Sequence, residues 1–161
     1  MRAVWLLLTL ACSLGFAQNA DAPKETARYF KLDFVVKDLD EGKVVTARNY
    51  SIVVKSDDSP VGDQIRSGSK IPYGDPPQYA DVGTSIDLHN LTVSNNDLLF
   101  QLTVEVSSVL SDSSSPRPVI RQNKWSSKVT VPLKKPTIVF SSDDNTTKHV
   151  LQLEVTATPR T

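Results

Sequence analysis

Leu98-Leu99-Phe100-Gln101-Leu102-Thr103-Val104-Glu105-Val106-Ser107-Ser108-Val109 is the stretch that decides the fold class. Phe100, Leu102, Val104 and Val106 fall at every second position, with Gln101, Thr103, Glu105 and Ser107 between them. Successive side chains of a strand leave on opposite faces, so this segment is a ribbon with one apolar side and one wet side. A helix would scatter the same residues around its circumference. The apolar side of a ribbon must be covered by another sheet or by a partner. Each Leu, Val or Phe fully buried there contributes roughly 1.5–3 kcal/mol.

The same period runs outward in both directions. From Tyr29 to Lys37, Phe30, Leu32, Phe34 and Val36 share a face, and Lys31, Asp33 and Lys37 share the other. Asp38-Leu39-Asp40-Glu41-Gly42 has turn chemistry, and Lys43 to Lys55 is rich in strand formers, so residues 28–55 predict a long hairpin. Asp57-Asp58-Ser59-Pro60 breaks the pattern. Gln64 to Pro72 is a shorter strand, followed by a loop at Tyr73-Gly74-Asp75-Pro76-Pro77. Tyr79 to Val93 alternates again, and Ser94-Asn95-Asn96-Asp97 is a tight turn into the segment quoted first. A Ser- and Pro-bearing loop covers Ser111 to Pro118. Val119 to Leu133, Pro136 to Ser141 and His149 to Thr158 complete the series, with a hairpin loop over Ser142 to Thr147. In the last strand Leu151, Leu153, Val155 and Ala157 share one face. About eight strands with short polar turns and no helical stripe predict an all-β fold. It is either an antiparallel β-sandwich or a curled open sheet.

Composition bounds the function. The 161 residues carry 18 Lys and Arg against 18 Asp and Glu. No large single-sign field follows, so nucleic acid is not an expected partner. Met1-Arg2 and the apolar run Ala3 to Leu10 precede Gly15-Phe16-Ala17, which offers small residues for cleavage. Residues 1–17 therefore read as a secretory signal peptide, cut after Ala17, with 18–25 as a flexible lead-in. Their apolar run is far below the ~20 residues of a membrane-spanning helix. Cys12 is the only cysteine. It could be a lipoprotein acceptor, but Thr9-Leu10-Ala11 lacks the preferred Leu, and a simple signal is the preferred reading. Without Cys12 the exported chain has no thiol for a disulfide or a nucleophile.

Several blocks of the chain resemble the β-domain of bacterial secretins, the outer-membrane pore subunits of type II and III secretion. Gly68-Ser69-Lys70-Ile71-Pro72-Tyr73 resembles the segment that opens that domain. Tyr79-Ala80-Asp81-Val82-Gly83-Thr84-Ser85-Ile86-Asp87-Leu88 resembles the family's Tyr-x-Asp-Val-Gly strand. Leu102 to Val109, Pro118 to Val131 and Leu151 to Arg160 resemble the three strands that follow in the family, in family order. The likeness spans roughly 64–160. Thr137-Ile138-Val139-Phe140-Ser141-Ser142 departs from it: here one hairpin leads directly to the closing strand, without the family's Val-Pro-x-Leu-Gly signature. The resemblance implies a single secretin-like β domain over 26–160, a solitary module without the N-terminal ring domains. It also implies a cell-envelope role, in the periplasm or at the outer membrane.

The chemistry-bearing residues do not gather. His89 and His149 fall on polar strand faces, away from any closely spaced His or Cys set, so surface roles are expected. Asp38-x-Asp40 and Asp143-Asp144-Asn145 lack the twelve-position calcium loop, and turn formation accounts for them. No Gly-x-Ser-x-Gly elbow and no phosphate loop occurs. Lys134-Lys135 reads as a solvated turn. The sequence therefore predicts no catalytic residue, no metal and no cofactor. Trp125 alternates with Val129, Val131 and Leu133, which favours a core position over a membrane-interface or partner anchor. The candidate partner contacts are Trp125, Tyr79 and Tyr73. The expected function is a non-enzymatic envelope module, accessory to secretion or pilus assembly. It would pair strands with an envelope protein or with itself, with peripheral outer-membrane contact. The alternative is a small outer-membrane oligomeric pore subunit. The expected exposed edge is a strand of the 28–55 hairpin or the strand near Ser107.

Overall fold

The computed structural model describes residues 28–56, 62–110, 118–143 and 149–160. The expected signal peptide, Cys12, the lead-in and the loop centres at 57–61, 111–117 and 144–148 lie outside the described residues. Eight strands account for nearly everything else. They are β1 (Arg28–Asp40), β2 (Lys43–Ser56), β3 (Asp63–Tyr73), β4 (Gln78–Ser94), β5 (Asp97–Leu110), β6 (Val119–Pro132), β7 (Thr137–Asp143) and β8 (His149–Arg160).

The strands form two four-stranded sheets, ordered β2-β1-β8-β7 and β3-β4-β5-β6. All six strand pairs are antiparallel. The first sheet joins the chain's first and last hairpins, because β1 pairs with β8 from Tyr29↔Arg160 to Asp40↔His149. The second is a meander of the four strands between them. Of the two architectures the sequence allowed, the structure is the two-sheet arrangement.

Alternation explains why the sheets face each other. Phe30, Leu32, Phe34 and Val36 of β1 are buried, as are Leu153, Val155 and Ala157 of β8. Opposite them lie Ile86 and Leu88 of β4, Leu98, Phe100, Leu102 and Val104 of β5, and Val129 and Val131 of β6. These side chains belong to one continuous core. The two polar side chains buried with them are satisfied. The Tyr50 hydroxyl donates to Thr84 Oγ1 at 2.9 Å, tying β2 of one sheet to β4 of the other. Ser107 Oγ accepts from the Gly83 N–H at 3.0 Å. At one end the sheets are also joined by backbone: the Lys134 N–H donates to the Ala157 carbonyl at 2.7 Å, beside a Leu133↔Ala157 bridge.

Three local features depart from simple alternation. The β1–β2 turn is only Glu41-Gly42, with φ of 48° and 81°, which suits the twist of a two-residue hairpin. Asp38 to Asp40, expected in the turn, instead continue β1 past a register shift at Asp38/Leu39. In β4 the register shifts between His89 and Thr92, where Asn90 has φ 55°. Both His89 and Asn90 then face solvent and Leu91 returns to the core. The extra residue of this bulge is what lets a seventeen-residue strand keep its apolar residues inward at both ends.

The third feature is a crease. Gly68 and Gly83 face each other across β3 and β4. A Cβ on Gly83 would overlap the Ser67 carbonyl oxygen, and φ is 151°, a region L side chains rarely adopt. Gly83→Ala should lose about 1–3 kcal/mol to backbone strain alone, before the overlap is counted. Gly42→Ala, whose Cβ would meet nothing within 4 Å, should lose only ~1–2 kcal/mol from its positive φ. Urea unfolding midpoints of the two variants would show this order, and equal midpoints would remove the steric account of the crease.

Candidate functional site

Four strands are left with one unpaired side: β2 and β7 in the first sheet, β3 and β6 in the second. An edge strand turns every second N–H and C=O outward, where another chain can pair with them. These edges and the faces beside them are the surfaces on which the fold can act.

The four edges differ. β7 has seven residues, with a register shift at Ile138/Phe140. β3 is creased at Gly68 and carries Pro72. β6 is long, and it lies beside β7 where Trp125 packs on Phe140 with ring centroids 5.2 Å apart. β2 is fourteen residues long and pairs with β1 along its length, apart from a register shift that leaves Val45 without a partner in β1. The hairpin edge expected from the sequence is therefore β2. The strand near Ser107 is β5, which is paired on both sides from Asp97 to Val106, whereas Ser107 to Leu110 pair only with β6 and leave their other side open. Sequence alternation could not show this, since an inner and an outer strand bury the same face.

The outward faces of both sheets are wet. On the first, Lys31 pairs with Asp33 at 2.7 Å and Lys37 with Glu154 at 2.9 Å. Asp33 also accepts from the Ser51 hydroxyl. Burial opposes ionisation of Asp33, but the hydrogen bonds from Lys31 and Ser51 and the Lys31 charge outweigh it and hold the carboxyl below its ordinary value. On the second, Arg66 pairs with Asp87, and Lys124 stands 3.7 Å from Glu105. Thr103 and Ser126 share a hydrogen bond of 2.8 Å between β5 and β6.

Two clefts are recognisable. One of about 470 Å³ lies at the crease, between Arg66, Lys70, Asp81, Glu105 and Ser107. A smaller one of about 140 Å³ lies between the sheets where the apolar core ends at Val36, and brings Asp38, Arg48, Arg121, Asp143 and His149 together. No local pattern in the chain signals this gathering, because its members come from five strands. Among the described residues no group of three or more His, Cys, Asp or Glu is arranged to hold a metal ion.

The candidate partner residues occupy different settings. Tyr79 is 62% exposed, at the tip of the β3–β4 hairpin opposite Pro72. Tyr73 is half-buried at the same tip, opposite Gln78. Trp125 is half-buried and packs on the core near Leu151 and Leu153. The structure brings Tyr73 and Tyr79 to one hairpin and places Trp125 on another strand. His89 is exposed at the bulge, while His149 meets Asp38, with Nδ1 3.0 Å from Oδ1. Lys134 and Lys135 are exposed in the turn between β6 and β7.

This geometry defines a two-sheet, all-antiparallel β-module. No protein-family model and no curated sequence matches the chain, but solved secretin structures do. The secretin InvG of the Salmonella SPI-1 type III secretion injectisome matches with a TM-score of 0.58 and 10% identity, over 84% of this chain and 65% of that one. The type II secretin GspD of enteropathogenic Escherichia coli gives 0.51 and 10%, over 84% and 66%. The Klebsiella pneumoniae type II secretion outer membrane complex of PulD, PulS and the PulC HR domain gives 0.54 and 11%, over 84% and 39%. The chain thus spans no more than about two thirds of the solved chains it matches. At this identity the likeness is one of fold. It is wider than residues 64–160 alone provide, so it reaches into the first hairpin.

The hydrogen bond to Asp38 raises the His149 pKa above its ordinary value. Burial opposes the rise, the charges of Asp38 and Asp40 add to it, and Arg121 opposes it. The folded chain therefore holds this proton more tightly than the unfolded chain. The added stability is complete below the ordinary value of 6.5 and is lost as pH rises through the raised folded value. His149→Gln should unfold at lower urea than the parent in acid, and the two midpoints should converge in alkali. A gap that stays constant with pH would show that the imidazole charge plays no part.

Proposed function

We propose that this protein is an exported, non-enzymatic module of the bacterial cell envelope, accessory to protein secretion or pilus assembly. It works by pairing a strand edge with an envelope protein or with another copy. The observation that carries this reading is the pair of four-stranded sheets, each ending in two unpaired strands, on a secretin-like fold. The segment Met1 to Ala17, with its charged start and short apolar run, supports export. Backbone hydrogen bonds would supply the affinity of such pairing and alternate side chains its selectivity. No catalytic residue, metal or cofactor is assigned. Trp125, Tyr79 and Tyr73 remain the proposed partner contacts, with peripheral contact to the outer membrane.

A second reading has one observation in its favour. The outermost strands of each sheet are antiparallel to one another, so copies laid edge to edge extend an all-antiparallel sheet. Such extension could close into a small oligomeric pore. A pore wall needs an apolar band toward lipid, whereas the outward faces here carry Lys31–Asp33, Lys37–Glu154 and Arg66–Asp87 pairs. That contrast favours the interaction module.

Size exclusion and cross-linking of the full chain, with and without envelope extract, test the first reading. Complexes larger than a monomer are expected, with slowed amide exchange along one of the four edges. A chain that stays monomeric, with no edge slowed, would end it. Membrane fractionation separates the second reading, since a pore subunit would require detergent for release. Tyr79→Ala should weaken complex formation without moving the urea midpoint. Trp125→Ala should lower the midpoint, by up to ~3 kcal/mol in stability, because it strips packing from Phe140.

A further inference from the structure

The second sheet does not stay joined along its whole length. β3 and β4 pair as far as Tyr73↔Gln78, and β5 and β6 as far as Leu110↔Val119. The ladder between β4 and β5 stops earlier, at Thr84↔Val106. Beyond that pair the sheet divides into two arms, one of β3 and β4 and one of β5 and β6, with a fork between them. The Ser107 hydroxyl closes the vertex. It accepts from the Gly83 N–H at 3.0 Å and donates to the Gly83 carbonyl at 3.4 Å. The cleft of about 470 Å³ opens at this vertex, lined by Asp81 and Gly83 from β4 and by Glu105 and Ser107 from β5.

A residue of an antiparallel strand turns its N–H and C=O toward one neighbour, and the next residue turns them toward the other. Gly83 turns both to Ser107, so Asp81 and Tyr79 turn theirs into the fork, and Ala80 and Val82 turn to β3. Pro72 agrees with this assignment: it has no N–H, and it stands opposite Tyr79, where β3 has no bond to make. By the same rule Thr84 turns to β3 and its partner Val106 to β6, so Ser107 and Val109 turn into the fork. Among the described residues no strand pairs with Tyr79, Asp81 or Val109 on this side. Their surroundings are apolar or balanced in charge. Tyr79 is 62% exposed and Val109 36%. Each charged side chain of the cleft has an opposite partner: Arg66 has Asp87, Lys70 has Asp81 at 3.4 Å, and Glu105 has Lys124 at 3.7 Å.

We propose that the fork between β4 and β5 receives an uncharged, extended segment of a different polypeptide, which pairs with Tyr79 and Asp81 on one arm and with Val109 on the other. The proposal rests on the strand-pairing reading and moves the contact from the outer edges to a slot inside the second sheet. β4 and β5 are antiparallel, so the segment lies antiparallel to one arm and parallel to the other, as mixed sheets allow. Backbone bonds hold it, and β-branched side chains beside Tyr79 and Val109 cover their exposed surface. A charged segment gains nothing, because each charge it meets stands beside an opposite one. A second copy does not supply the segment from its described strands. Each of these already gives one side to a neighbour in its own sheet, and the slot engages both sides.

The test uses the full chain with capped synthetic peptides: one alternating Thr and Val, and two in which Glu or Lys replaces the Thr residues. Amide exchange and backbone chemical shifts report where each peptide pairs. The Thr–Val peptide is expected to bind more tightly than either charged one and to slow exchange at Tyr79, Asp81 and Val109 together. Val109→Pro removes an N–H that faces the fork and should weaken the peptide about tenfold, while Val109→Ile should bind as the parent does. Tyr79→Pro tests the other arm should Val109→Pro fold poorly. Slowing on one arm alone would overturn the two-sided slot, as would tighter binding of a charged peptide. Slowing at Tyr79, Asp81 and Val109 that grows with chain concentration in the absence of peptide would overturn the foreign partner. Slowing confined to β2, β3, β6 or β7 would overturn the slot and leave the strand-pairing reading standing. If no strand is slowed by any peptide or by envelope extract, both fall.

Discussion

The contact between the two inner sheet faces is what every other feature of this molecule depends on. Phe30, Leu32 and Phe34 of β1 cannot reach water, and neither can Ile86, Leu98, Leu102 and Val131 across the interface. Removing such area from water supplies the main force for folding. Alternation couples this force to the outer surface: once even positions of β1 turn inward, Lys31, Asp33 and Lys37 must turn outward. The ion pairs there follow from the packing, and being exposed they add little stability of their own.

The same constraint decides where the structure is irregular. A one-residue shift would reverse every side chain beyond it, so a break in the apolar pattern needs a bulge. Asn90 supplies one in β4, and it keeps both Leu88 and Leu91 inside. The crease at Gly68 and Gly83 has another cause. There two backbones come too close for side chains, and Ser107 satisfies the Gly83 N–H with its hydroxyl. Inner polar groups thus appear where the sheet is bent or tied, at Ser107 and Thr84, and each has a partner.

Function on such a scaffold depends on what remains unpaired at the edges. Interior strands use both sides of their backbone, whereas an edge strand keeps one side for another chain. Short length, a bulge, glycine and proline reduce that capacity at β7 and β3, and lysines do so at β6.

Strand identity was legible in the residues alone, because a period of two belongs to no other regular structure. From it came the all-β class, the hairpin over 28–55, the inward set on β1 and the closing strand with Leu153, Val155 and Ala157. The glycine-bearing blocks around Gly68 and Gly83 also carried the secretin likeness. Tertiary structure decided what periodicity leaves open: which strands neighbour each other, and so which have a free side. β5 and β2 alternate in the same manner, yet β5 is paired on both sides from Asp97 to Val106 and β2 is an edge, because pairing partners lie far apart in the chain. The meeting of Asp38 with His149, and of Tyr50 with Thr84, has the same origin: strand order and register bring these residues together across long sequence separations that no local pattern records.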